Sequence, residues 1–289
     1  MISVIIPTFN RPGALAACLE SLTRLQYPRE QFEVIVVDDG GDQDLSAIIE
    51  SARKSINVRL LKQPNSGPAS ARNTGAANAT GEFIAFTDDD CRPAEDWLAA
   101  LTRRLQQDPS RMYGGHTVNA LKTNVYSTAS QALIDYLYSY YNADPERARF
   151  FTSNNIAMAR KMFEAVGGFD VSFRRACGED REFSDRWLHL GHGMSFVPEA
   201  QVFHNHGLTF RRFWKQHFGY GTGAWRFRQS RVLHGRKPPK FEPPAFYLGL
   251  VNLARKKQLA RPFTLSALLL LSQLANVTGF TWAKMSSKR

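Results

Sequence analysis

The chain has 289 residues, 43% hydrophobic and 22% charged, a balance that supports a folded core and excludes a disordered chain. Its three cysteines, Cys18, Cys91 and Cys177, are scattered without metal-ligand spacing, which excludes a disulfide framework and points to a reducing compartment. The net charge of +11 is concentrated between residues 203 and 261, where thirteen Arg and Lys face Glu242 alone; such a segment suits phosphates, nucleic acid or an anionic membrane surface.

Met1 leads straight into Ile2-Ser3-Val4-Ile5-Ile6-Pro7. The run has no basic flank and too few apolar residues for a secretory leader, so it reads as a strand and predicts a cytoplasmic protein. Ser3–Ile6, Phe32–Val37, Val58–Leu61 and Phe83–Phe86 are short runs rich in Val and Ile. Between them lie helical patterns: after Pro12, which suits a helix start, Leu15, Cys18, Leu19, Leu22 and Leu25 recur at helical spacing. The alternation predicts an α/β fold, a mostly parallel sheet flanked by helices, with ligands at the carboxyl ends of the strands.

Polar groups gather where that rule places a ligand. Pro7, Thr8, Asn10 and Arg11 follow the first strand, and Asp38-Asp39-Gly40-Gly41 ends the second. Asn65-Ser66-Gly67-Pro68 follows the third and leads into a helix bearing Arg72 and Asn73; Asp88-Asp89-Asp90 ends the fourth. If strand alternation continues through its end, Asp88 and Asp90 point to one side and Asp89 to the other. Two carboxylates on one side suit a hard divalent cation that also holds a diphosphate; the triplet alone would equally suit a solvated acidic loop.

From Met112 to Ala143 the pattern is irregular. Tyr136, Tyr138, Tyr140 and Tyr141 would line an acceptor groove, or belong to an amphipathic helix covering the sheet. Thr152-Ser153-Asn154-Asn155, Gly167-Gly168-Phe169-Asp170 and Gly178-Glu179-Asp180 follow, with a helix expected to begin near Glu179. Met194–Val197 and Gln201–Phe203 read as two short final strands ending at His204-Asn205-His206.

Beyond His204, aromatic residues interleave with Arg211, Arg212 and Lys215, a pattern for an interfacial helix or a lid on a diphosphate. Single-stranded nucleic acid would also suit it, but no recognised nucleic-acid motif accompanies it, and no nucleic-acid partner is expected. Lys237-Pro238-Pro239-Lys240 marks a composition break, which divides the chain into 1–235, the catalytic part, and 236–289, a basic and apolar helical extension. Residues 262–283 carry no charge and just reach the length of a membrane span. Ser266, Ser272, Gln273, Asn276, Thr278 and Thr281 dilute their hydrophobicity, so a helix lying on the membrane is favoured over a span or a helix packed on the domain. Lys256, Lys257, Arg261, Lys284, Lys288 and Arg289 flank it.

Taken in order, these motifs resemble the family 2 glycosyltransferases, inverting nucleotide-sugar enzymes of the GT-A fold. The matching residues are Val4 to Arg11, Val36 to Gly40, Asn65 to Asn73, Asp88-Asp89-Asp90, Gly167 to Asp170, Gly178-Glu179-Asp180, Arg186 and His204, covering roughly residues 1–210. The resemblance implies a nucleotide-diphosphate sugar donor, commonly UDP-linked, a divalent metal (Mg or Mn), and one-step displacement with inversion. By position it puts Pro7, Thr8, Asn10, Arg11, Asp38, Asp39, Arg72, Asp88 and Asp89 on the nucleotide-sugar. It puts Asp88 and Asp90 on the metal, Asp90 the better ligand, and makes Asp180 the catalytic base. The middle Asp89 departs from the aspartate–x–aspartate pattern and could itself serve as a ligand.

The residues fit that chemistry. A metal on Asp90 and Asp88 neutralises the leaving diphosphate. A carboxylate must take the acceptor proton, and a helix N-terminus keeps Asp180 ionised for it. His204 is a candidate third ligand for Mn, or merely a hydrogen-bonding group; His206 and His217 are weaker candidates. Arg186 is expected to pair with acidic neighbours or donor phosphates. A glycan or lipid-linked acceptor at the inner membrane face is the expected partner. A nucleotidyltransferase and an inactive sugar-nucleotide scaffold are the rivals.

Overall fold

Alternation within the first strands sends apolar side chains to both faces of one sheet. The computed structural model describes residues 1–174, 177–256 and 258–287. Eight strands, β1 (Ile2–Thr8), β2 (Phe32–Asp38), β3 (Val58–Lys62), β4 (Phe83–Thr87), β5 (Cys91–Pro93), β6 (Met112–Asn119), β7 (Asn155–Ala159) and β8 (Met194–His204), pair in the order β3-β2-β1-β4-β7-β6-β8-β5. Ile2, Val4 and Ile6 of β1, with Val34 and Val36 of β2, enter one core; Ile5, Ile35 and Val37 enter the other. Each such side chain, fully buried, contributes about 1.5–3 kcal/mol, so both faces require helical cover.

Helices α1 (Pro12–Thr23), α2 (Ser46–Arg53) and α4 (Trp97–Gln107) cover the first face. The second is covered by α3 (Pro68–Ala77), α6 (Arg160–Val166) and α7 (Glu179–His189). The four expected strands and the helix at Glu179 are present. The sheet is parallel through β3-β2-β1-β4, but β7 inserts antiparallel to both β4 and β6. That strand is not expected from the sequence because Asn155-Ile156-Ala157-Met158-Ala159 holds one β-branched residue and lacks the Val- and Ile-rich signature of the first four. The irregular stretch after Met112 resolves into β6 and a helix, α5 (Val125–Tyr141), capped by the Asn124 side chain. The two final strands are in fact one: β8 continues through a bulge opposite Gly115 and His116, which re-aims the strand between its two expected halves.

Helices α8 (Phe210–Leu233), α9 (Pro244–Lys256) and α10 (Pro262–Ser286) pack with α5 around two smaller apolar clusters. Residues 262–283 form most of α10, which packs along α8. One face of α10, including Leu265, Leu269 and Ala275, is buried against the protein, while Phe263, Leu270, Leu274, Val277 and Met285 remain exposed. By length and composition alone α10 could cross a membrane. At Gly279 a Cβ would fall 2.0 Å from the Phe218 carbonyl oxygen, so α8 and α10 approach as only glycine permits. The three cysteines are free and buried. Of the expected basic flank, Lys257, Lys288 and Arg289 lie outside the described residues.

Candidate active site

The acidic triplet begins where β4 ends, at Thr87, and forms a turn. Strand alternation therefore does not run through it, and each carboxylate takes its own set of partners. Arg11, on the loop after β1, reaches Asp89 at 2.6 Å and Asp90 at 2.8 Å. The fully buried Arg72 of α3 donates to Asp88 at 2.8 Å and to Glu179 at 3.2 Å. Neighbouring carboxylates repel, and the fold offsets this with two guanidiniums, Arg72 on Asp88 and Arg11 shared by Asp89 and Asp90.

Asp89 is buried and accepts from the Thr8 hydroxyl at 2.7 Å. Burial pushes its carboxyl up to about 7, with Arg11 acting in the opposite direction. Burial also works against ionisation of Asp90, but hydrogen bonds from His204 and His206 and the Arg11 charge hold that carboxyl well below the ordinary range. His204 Nε2 lies 3.3 Å and His206 Nδ1 3.6 Å from the Asp90 oxygens.

Asp90, His204 and His206 place their ligand atoms within 4.8 Å of one another. One carboxylate and two imidazoles fit a borderline divalent metal. Asp88, expected beside Asp90, is instead on Arg72. His206, read in the sequence as weaker, joins the set because the chain leaving β8 stays beside the triplet, Asn205 donating its N–H to the Asp90 carbonyl at 2.8 Å. The two imidazoles stack with centroids 4.9 Å apart. The His-x-His spacing is the signal that could have found it, since residues two apart in extended chain share a side. Gln216 of α8 lies 3.0 Å from His206 Nε2 and so orients the ring toward Asp90.

Asp38 and Asp39 are buried and spend their oxygens on backbone. Asp38 accepts from Gly41 N at 2.9 Å; Asp39 accepts from Ser66 N at 2.9 Å, Gly67 N at 2.8 Å and the Gln63 side chain at 2.7 Å. They hold together the loops after β2 and β3. Asn10, at φ 52°, accepts from Asp42 N at 2.8 Å and braces the loop after β1, to which Pro7 leads.

Asp180 sits in the first turn of α7 behind Gly178, whose φ of 97° needs a glycine. Burial, followed for Glu179 by repulsion from its neighbour, raises both adjacent carboxyls: Asp180 to about 6, Glu179 to about 7. Asp180 accepts from Arg181 N at 2.7 Å, while the buried Glu179 Oε2 has no partner among the described residues. Glu179, a member of the Gly178-Glu179-Asp180 motif, is the second anchor of Arg72. Arg186 takes the acidic-neighbour alternative: it grips Glu182 at 2.7 Å and the Val166 and Gly168 carbonyls, fastening the Gly167-Gly168 turn.

Two adjoining cavities meet here and share Cys177, His206 and Gln216 as lining. One, about 320 Å³, contains Asp88, Asp180 and His204 and is walled by α5, α8, α9 and α10. Of the tyrosine cluster, Tyr141 lines it; Tyr138 is buried in the core, and Tyr136 and Tyr140 pack on Phe246. The other cavity, about 1320 Å³, runs from Arg11 and Asp90 along Arg174, Arg212, Lys215 and Arg226.

The Glycosyl transferase family 2 model matches residues 3–167. Hyaluronan synthase of Pasteurella multocida is 29% identical over 238 residues, which is 70% of this chain and 24% of that protein. Glycosyltransferase AglE of Haloferax volcanii is 24% identical over 225 residues, 77% of this chain and 72% of that one. The chain thus spans about a quarter of the Pasteurella protein's length. Among solved structures, mannosyltransferase PcManGT from Pyrobaculum calidifontis in complex with GDP-Man and Mn2+ superposes with a TM-score of 0.66 at 19% identity, covering 96% of this chain and 86% of that one. TarS 1-349 of S. aureus in complex with UDP-GlcNAc gives 0.55 at 16% identity, covering 99% and 91%. These likenesses show the GT-A fold.

Proposed function

The chain belongs to glycosyl transferase family 2, and we propose that it is an inverting, metal-assisted enzyme moving one sugar from a nucleoside-diphosphate donor, UDP-linked by preference, to a hydroxyl of a glycan or lipid-linked acceptor. The observation that carries this is the placement of an Asp90–His204–His206 donor set and a carboxylate of raised pKa, Asp180, on adjoining cavities that share His206. The solved relatives bound to GDP-Man and UDP-GlcNAc support a nucleotide-sugar donor.

Asp90, His204 and His206 would hold a divalent metal, Mn suiting the imidazoles better than Mg, and it would supply Lewis acidity for the diphosphate leaving group. Arg212 and Lys215 line the diphosphate's side of the cavity. The loops after β1, β2 and β3, carrying Pro7, Thr8, Asn10, Arg11, Asp38 and Asp39, border the nucleotide. Arg72 holds Asp88 and Glu179 in place beside the donor sugar. Asp180 takes the acceptor proton as the oxygen attacks. One base and no covalent nucleophile give a single displacement, hence inversion.

Residues 1–235 form the catalytic part and 236–289 the extension. The exposed apolar stripe of α10, with Arg255, Arg261 and Lys284 beside it, rests on the anionic inner face of a membrane, where the product joins an envelope glycan. The test is nucleoside diphosphate release from UDP-, GDP- and dTDP-sugars with Mg or Mn, with membrane lipid and glycan acceptors supplied. Metal-dependent release lost in Asp90→Ala and Asp180→Asn is expected. Release of pyrophosphate would indicate a nucleotidyltransferase instead, and binding without turnover a scaffold.

A further inference from the structure

The two adjoining cavities differ sharply in charge. Arg11, Arg174, Arg212, Lys215 and Arg226 line the larger one, with Asp90 as its acidic member. The smaller one holds the carboxylates of Asp88, Glu179, Asp180 and Glu242 against two guanidiniums, Arg72 and Arg181. Arg72 is already taken by Asp88 and Glu179. The Arg181 guanidinium lies over the rings of Tyr141 and Phe227 and donates to the Tyr141 hydroxyl at 3.2 Å, which also bonds to Glu242. An anion entering the smaller cavity would find both guanidiniums already engaged, unlike the open Arg212 and Lys215 of the larger one.

The rest of its lining is neutral and polar. Gln273 and Asn276 come from α10, Gln216 from α8 and Tyr247 from α9. Asn276 and Tyr247 both line the cavity, and each brings a neutral hydrogen-bonding group to its wall. Amides and hydroxyls between aromatic walls are groups that hydrogen-bond an uncharged polyol. All of these residues lie outside 3–167, the span matched by the family model.

Resting on the assignment of Asp180 as base, we propose that the acceptor is a neutral saccharide, bound in the smaller cavity by Gln273, Asn276 and Tyr247 of the C-terminal helices, and that it reacts through a sugar hydroxyl and not through a phosphate. The chemistry agrees with the charge. A phosphate oxygen is already ionised at neutral pH and needs no base, whereas an alcohol must give up its proton. The acceptor oxygen forms a bond to the anomeric carbon; the anomeric carbon–oxygen bond to the diphosphate breaks, its electron pair leaving with the nucleoside diphosphate. The hydroxyl proton passes to the Asp180 carboxylate.

The experiment offers the full chain, its donor and metal with two kinds of acceptor: p-nitrophenyl glycosides of neutral hexoses and N-acetylhexosamines, and a polyisoprenyl phosphate in detergent micelles. Transfer to at least one glycoside is expected. Asn276→Ala, and separately Tyr247→Phe, which removes only a hydroxyl from an exposed ring, should each raise the KM for that glycoside about 3- to 10-fold, the loss of one hydrogen bond, with the donor Kd unaltered by calorimetry. Transfer to the polyisoprenyl phosphate with none to any glycoside would overturn the proposal. So would variants that weaken the donor and spare the acceptor KM. A donor that is bound and slowly hydrolysed but never transferred to a glycoside defeats this acceptor assignment alone. A donor that does not bind defeats the proposed function, and this inference with it.

Discussion

The strand-end half of the site and its helical half treat charge in opposite ways. At the strand ends each guanidinium is committed: Arg11 to Asp89 and Asp90, Arg72 to Asp88 and Glu179. On α8, Arg212 and Lys215 are exposed and have no carboxylate partner among the described residues. The first arrangement fixes geometry, since Arg72 is buried with Glu179 and the half-exposed Arg11 grips the buried Asp89. The second leaves charge open for an anion that comes and goes.

Substitutions on the two halves should therefore fail differently. The largest effect is expected from Asp180→Asn, which keeps shape and removes the base: kcat should fall about 10²- to 10⁴-fold. In the wild type, kcat/KM should decline as pH falls through about 6, where burial has placed the Asp180 titration. The sign for stability is opposite. A carboxyl whose folded pKa is raised stabilises the fold while protonated and loses that contribution as pH rises through the folded value. Asp180→Asn should thus melt no lower than wild type at pH 8; a markedly lower melting temperature would show the ionised carboxylate to be structural.

Arg72→Met should come next, and chiefly as lost stability. It leaves Asp88 and Glu179 without their buried cation, a cost of about 3–5 kcal/mol readable from the urea midpoint. An intact midpoint would mean that the pairing contributes little. Gly279→Ala attacks the helical half without touching a charge. Its Cβ would fall 2.0 Å from the Phe218 carbonyl oxygen, so α10 must move off α8 at a cost of about 1–3 kcal/mol. The smaller cavity would lose its far wall, and acceptor KM should rise before donor KM does.

Lys215→Ala should be mildest. Stability should stay within about 0.5 kcal/mol, while donor KM rises about 2- to 5-fold, most clearly at low salt. A larger loss of stability would place Lys215 with the committed cations.

The alternation of short Val- and Ile-rich runs with helical spacings was enough for the α/β class, because such strands bury both faces whatever lies beside them. The same reading located the polar strand ends and the ordered motifs from Val4 to His204. It missed β7, whose Asn-Ile-Ala-Met-Ala sequence holds a single β-branched residue, and it extended alternation into a turn where the triplet leaves the strand. It gave Glu179 no role of its own, since the guanidinium that pairs with it is 107 positions away in the chain.

The sequence by itself determined which residues carry charge and which loops they stand on, since local periodicity and turn chemistry act over a few residues. Only the tertiary structure decided which carboxylate meets which cation, brought His206 to Asp90, and turned α8, α9 and α10 into a cavity wall. Those outcomes depend on the close approach of segments far apart in the chain, where burial makes each pairing decisive and no short-range pattern records it.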